Sequence, residues 1–211
     1  MKKKYKLGLA LSGGGVKGFA HAGALKALEE FGYKPDIISG TSAGAVAGAL
    51  YVAGYTPLEI CELFKNKSFT HFTNFTIPTS GLFNPAKFVE FMRQKIAYKN
   101  IEDLPIPMRI VATDLDHGQM TVFTKGSVAE RVMASASVPI VFPPTEIDGV
   151  HYVDGGVFCN FPVDVIRKDC ERVIGINASP LVPTQYKQSI LEIAVRSYNF
   201  MFRANTKEDG L

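Results

Sequence analysis

A chain of 211 residues, 46% hydrophobic and 20% charged, has the usage of a globular protein that buries a core without disulfides, which excludes a disordered polypeptide. Its formal charge of +3, with no basic block interleaved with aromatics, excludes nucleic acid as the expected partner. The cysteines Cys61, Cys159 and Cys170 lack metal-ligand spacing and point to a reducing compartment.

The start, Met1-Lys2-Lys3-Lys4, looks like the basic region of a signal peptide, but the apolar stretch Leu7 to Leu11 is too short to complete one. No run approaches a membrane span. The expectation is therefore a soluble, cytoplasmic protein. Leu7 to Leu11 is predicted as a short buried strand, followed by the glycine loop Gly13-Gly14-Gly15-Val16-Lys17-Gly18. A helix from about Phe19 to Phe31 comes next, with small or apolar residues on one side. Ile37-Ile38-Ser39 is a second strand. It leads through Gly40-Thr41-Ser42-Ala43-Gly44 into a helix of small residues ending near Ala53.

Thr56-Pro57-Leu58-Glu59 opens a further helix with an N-cap, a proline at its first position and a capping-box glutamate. Lys67 to Asn84 reads as a loop rich in phenylalanine, including Phe69, Phe72, Phe75 and Phe83. These rings suit either the chain's own core or a flap touching a lipid surface. A helix is expected from Pro85 to about Ala97, then strands Met108 to Thr113 and Met120 to Phe123 joined at Asp116-His117-Gly118. Val128 to Ala136 is helical, Val150 to Val153 a strand ending in Asp154-Gly155-Gly156, and Arg172 to Asn177 another strand. The last helix spans roughly Gln188 to Phe202. Strands alternating with helices, without repeats or linkers, predict one α/β domain over 1–211: a three-layer α/β/α fold with a mainly parallel central sheet.

The chemistry concentrates in the glycine-rich turns. Gly13, Gly15 and Gly18 match G-x-G-x-x-G, which also serves dinucleotide binding. That use wants an acid at the far end of the second strand, whereas Asp36 precedes it. A phosphate-binding P-loop fails too, because Lys17 comes before the last glycine. An anion or oxyanion site remains, formed by N–H groups at a helix start. G-x-S-x-G holds Ser42 on a tight strand-to-helix turn with its hydroxyl exposed.

Hydrolases with this turn place an aspartate and then a histidine after the serine, but His151 is the last histidine and precedes Asp154. His21, His71 and His117 read as surface or hydrogen-bonded histidines. Asp154, ending a strand beside two glycines, is the candidate base for Ser42. Gly13, Gly14, Gly15 and Ala43 are the candidate oxyanion donors. Lys17 is either a plain surface lysine or a source of positive potential for a lipid phosphate. No cofactor or metal is called for.

Together these motifs resemble those of the patatin-like phospholipases, over nearly all of the chain. The glycine loop is similar to that family's oxyanion loop, Gly40 to Gly44 to its nucleophile turn and Asp154-Gly155-Gly156 to its aspartate motif. Ala134-Ser135-Ala136-Ser137-Val138-Pro139 resembles its A-S-x-S-x-P block, and Asn160 and Pro162 match the residues after its D-G-G. The resemblance implies a Ser–Asp dyad without histidine and hydrolysis of lipid acyl esters; an acyl-serine intermediate is the expected mechanism, and the phenylalanine-rich loop leaves peripheral membrane contact open. A non-catalytic acyl-chain or protein-binding regulator and an acyltransferase are the alternatives on the same fold. The resemblance also implies further strand and helix after the last helix, so the end at Asp209-Gly210-Leu211 marks either a short member or a truncated chain.

Overall fold

The computed structural model describes residues 3–65, 85–179, 185 and 189–206. The phenylalanine-rich segment and His71 lie outside them. In chain order the elements are β1 (Tyr5–Leu11), α1 (Phe19–Glu30), β2 (Ile37–Thr41), α2 (Ala43–Val52), α3 (Pro57–Lys65) and α4 (Pro85–Lys95). They continue with β3 (Met108–Asp114), β4 (Gln119–Phe123), α5 (Val128–Ser135), β5 (Thr145–Ile147), β6 (Val150–Asp154), α6 (Asp164–Arg167), β7 (Cys170–Ile176) and α7 (Ile190–Thr206). The fold is α/β, with every strand in one sheet of order β5-β6-β3-β2-β1-β7 and β4 added on β3.

Strands β7, β1, β2 and β3 run parallel, and β4, β5 and β6 extend the sheet antiparallel. At the centre of the parallel part, β2 is buried along its whole length, as a strand covered on both sides must be. Along β1 the side chains alternate. Leu9 and Leu11 join the large core made by α1, α2, α3, α4 and α5, whereas Ala10 faces Ile166 of α6 together with Ile37 and Cys170.

Local chemistry accounts for most element boundaries. The predicted capping box opens α3: Thr56 N–H donates to Glu59 Oε2 at 2.8 Å and Glu59 N–H to Thr56 Oγ1 at 3.3 Å. Ser127 caps α5 by accepting from Glu130 N–H. Helix α2 is buried on nearly all sides, and its alanines and glycines let it lie against the sheet. At Gly44 the approach is closest: a Cβ there would fall 2.2 Å from the Leu11 carbonyl oxygen, so no other residue fits.

Two elements, β5 and α6, are not among those expected from the sequence. Three and four residues long, they carry no periodicity to read and exist through pairing and packing. Asp36 lies at the opposite end of the sheet from the glycine loop, accepting from Lys6 and Leu7 N–H. That placement agrees with its exclusion as a ribose ligand.

Candidate active site

The register of β3 explains how residues far apart in sequence come together. Ile110 to Asp114 pair with β4 along one edge of β3. On the other edge β2 pairs as far as Thr41 opposite Val111, and β6 takes over with Asp154 opposite Ala112. β2 runs parallel and β6 antiparallel to β3, so their C-terminal ends meet head to head. Consecutive positions along a strand are only about 3.3 Å apart. Both chains must therefore turn out of the sheet at the same point, one directly after Thr41 and the other directly after Asp154.

β2 turns through Ser42, whose φ of 53° and ψ of −120° are strained for a residue with a side chain. Helix α2 begins at the next residue. The Ser42 N–H donates to Ser135 Oγ at 2.8 Å, and Ser135 Oγ donates to the Val111 carbonyl at 2.6 Å. One hydroxyl thus ties the strained turn to the middle of the neighbouring strand β3. β6 turns through Asp154 into a 3-10 turn, Gly155–Val157. A Cβ at Gly155 would lie 2.3 Å from the Val111 oxygen, so the turn can press against β3 only with glycine there.

Asp154 is 1% exposed and Ser42 6%. The aspartate's backbone N–H donates to the Ser137 carbonyl at 2.9 Å, and its Oδ1 accepts Gly156 N–H at 2.8 Å. Oδ2 is buried and accepts no hydrogen bond of good geometry. The Ser42 hydroxyl nevertheless acts on this carboxyl as a hydrogen-bonding neighbour. The two groups are thus neighbours with no hydrogen bond of good geometry between them. Burial pushes the Asp154 pKa up to about 7, and the Ser42 hydroxyl and Gly156 N–H hold it from rising further.

The glycine loop borders the same point, since a methyl on Gly13 would sit 3.4 Å from Ser42 Cβ. Gly13 N–H, one of the expected anion donors, is already engaged by the Asn160 carbonyl at 2.9 Å. No partner among the described residues takes the N–H of Gly14 or Gly15. Ala43 N–H, at the first position of α2, has no partner within the helix. Lys17 is exposed in the 3-10 turn Gly15–Gly18 that follows the loop.

No described imidazole reaches Ser42. His117 pairs with Asp114 and His151 with Asp116, both at the outer end of the β3–β4–β6 region. His21 is fully buried, its Nε2 2.8 Å from the Ser12 carbonyl. Ser135, Ser137 and Asn160 belong to strings already visible in the sequence. Their work, holding the backbone of Ser42, Asp154 and Gly13, becomes apparent only with the sheet register.

A family model, patatin-like phospholipase, matches residues 9–167. The chain belongs to the patatin-like phospholipase family. It is 32% identical over 186 residues to an uncharacterized NTE family protein of Mycobacterium bovis, covering 85% of this chain and 51% of that protein. To the human patatin-like phospholipase domain-containing protein 6 it is 35% identical over 169 residues, 76% of this chain and 12% of that protein. The chain thus spans about half the length of the mycobacterial relative and a small part of the human one. The fold also resembles that of VipD from Legionella pneumophila, with a TM-score of 0.55 and 17% identity over 72% of this chain and 46% of VipD.

Proposed function

We propose that this patatin-like protein is a serine hydrolase of fatty-acyl esters in phospholipids or related lipids, working through a Ser42–Asp154 dyad. The observation that carries the reading is the head-to-head meeting of β2 and β6 on β3, which puts the Ser42 hydroxyl beside a buried carboxyl. Membership of a phospholipase family supports lipid as the substrate class.

In this reading Asp154 takes the Ser42 proton on Oδ2 as Oγ attacks the ester carbonyl carbon. The carbonyl oxygen becomes an oxyanion held by the N–H groups of Gly14, Gly15 and Ala43. As the intermediate collapses, the ester C–O bond breaks, the proton passes from Asp154 to the departing alcohol, and an acyl-serine remains. Asp154 then takes a proton from water, hydroxide attacks the acyl carbon, and the fatty acid leaves as Ser42 regains its proton. A carboxyl held near neutrality suits both directions of transfer, because a base is most effective with its pKa near working pH.

Lys17 adds positive potential at the mouth for a lipid phosphate. Exposed Ile140 and Phe158, on the turns after Ser137 and Asp154, offer an apolar approach for acyl chains. No described helix is long and apolar enough to cross a membrane.

The test is fatty-acid release from phospholipid vesicles and short acyl esters by the wild type, Ser42→Ala and Asp154→Ala. The reading expects release by the wild type and at least about a thousandfold loss in each variant. Release that survives in either folded variant would remove the dyad.

A further inference from the structure

The machinery above leaves one buried titratable side chain unused. His21 lies in the first turn of α1, wholly buried, with Nε2 2.8 Å from the Ser12 carbonyl oxygen. A carbonyl oxygen only accepts, so Nε2 carries the proton and Nδ1 presents a lone pair. That lone pair is buried with no partner among the described residues. A side chain serving packing alone would not bring an orphaned nitrogen into the core, because an unmet buried acceptor is unfavourable. The value of this imidazole must lie in its one bond.

That bond falls on the peptide unit that opens the glycine loop. The Ser12 carbonyl and the Gly13 N–H belong to one planar group, and they point in opposite directions. His21 holds the carbonyl end and the Asn160 carbonyl holds the N–H end, at 2.8 and 2.9 Å. The orientation of this plane is thus fixed from both sides. The next plane is fixed by its oxygen: the Gly13 carbonyl accepts from Ser12 Oγ at 2.8 Å and from Ser179 Oγ at 2.7 Å. Ser12 Oγ is itself held by Ala178 N–H at 2.9 Å. Since the Gly13 oxygen is drawn toward these hydroxyls, the Gly14 N–H on the same plane is turned away from them. It is left without a partner among the described residues, one position on from Gly13, where an added Cβ would lie 3.4 Å from Ser42 Cβ.

We propose that His21 is a positioning residue: with Asn160, Ser12 and Ser179 it clamps two successive peptide planes so that the Gly14 N–H is presented to the oxyanion formed at Ser42. This rests on the acyl-hydrolase reading for its consequence but on backbone geometry for its substance. His21 touches no substrate. A free loop could rotate its peptide planes, and a donor that must reorient during reaction stabilises charge less than one already in place.

The test compares His21→Leu, His21→Gln and Ser179→Ala with the wild type, using a short acyl ester for turnover and amide hydrogen exchange of the segment around Ser12 to Gly15. Glutamine keeps an N–H donor on a neutral side chain, whereas leucine removes it. Loss of a complete oxyanion donor lowers kcat by about a hundredfold or more, so a misdirected one should lower it at least about tenfold. His21→Leu and Ser179→Ala should show that fall in kcat with KM within about threefold, and faster exchange at Gly13. His21→Gln should restore both readouts most of the way.

Wild-type kcat in folded His21→Leu, or a Gln variant as poor as the Leu one, would overturn the proposal. So would a loss confined to KM. If His21→Leu does not fold, Ser179→Ala decides, being at a partly exposed position that removes one hydroxyl. Altered exchange in the variants of a wild type that cleaves no ester would leave the clamp standing and refute the hydrolase reading instead.

Discussion

Replacing Asp154 with asparagine should stabilise the protein, and by an amount that grows with pH. The carboxyl is buried and its pKa is displaced from 3.8 to about 7, with burial the main cause. A displacement of that size corresponds to about 4 kcal/mol between the two protonation states. The sign follows from proton binding. Between the unfolded and folded pKa values the native state holds the proton more tightly than the unfolded chain, so stability falls as pH rises through this window. The loss is complete above the folded value, where the charged carboxylate sits in the core.

Asparagine keeps an oxygen to accept the Gly156 N–H and never ionises. The stability gap in favour of Asp154→Asn should therefore widen by roughly 2 to 3 kcal/mol between about pH 5 and about pH 8. Urea unfolding of both proteins at the two pH values reads it directly. Turnover should move the other way, rising in the wild type as Asp154 ionises near neutrality and absent in the variant. A gap that does not change with pH, or a wild type that gains stability over the variant on alkalinisation, would show that this carboxyl is not the desolvated group described.

Ser42→Gly should remove turnover and yet stabilise the fold by about 1 kcal/mol, because glycine accepts the positive φ at no cost. Thermal unfolding checks this, and an equal or lower melting temperature would contradict it. Gly44→Ala places a methyl against the Leu11 carbonyl and should destabilise by about 3 kcal/mol or more, seen as a fall in the urea midpoint at unchanged slope. Glu59→Ala removes one half of the α3 capping box and should lower the urea midpoint in the same assay, without effect on ester turnover.

What the sequence made legible was whatever is encoded locally. Periodicity and the glycine turns placed β1, α1, β2 and α2 to within about two residues, since each has an apolar run and an end signal. Ser42 and Asp154 were legible as candidates because G-x-S-x-G and D-G-G demand sharp turns.

Their meeting was expected from the lack of a suitable histidine and from the family resemblance, but no local signal shows how the strands bring it about. It depends on β6 running antiparallel and succeeding β2 along one edge of β3, a long-range pairing with no local signature. For the same reason the Gly13 N–H looked like a free donor until Asn160, far along the chain, was found accepting from it. His21 illustrates the remaining gap. A histidine on a helix of mixed polarity reads as hydrogen-bonded or exposed, and only the packing of α1 against the loop decides that it is buried with a single bond.

The most direct test of the account is to locate the covalent adduct. After incubation with a fluorophosphonate at neutral pH, peptide mapping by mass spectrometry should find the phosphonyl group on Ser42 of the wild type. The rate should drop by orders of magnitude in Asp154→Asn. An adduct on another residue, or labelling of Ser42 that proceeds equally fast without the carboxylate, would contradict it.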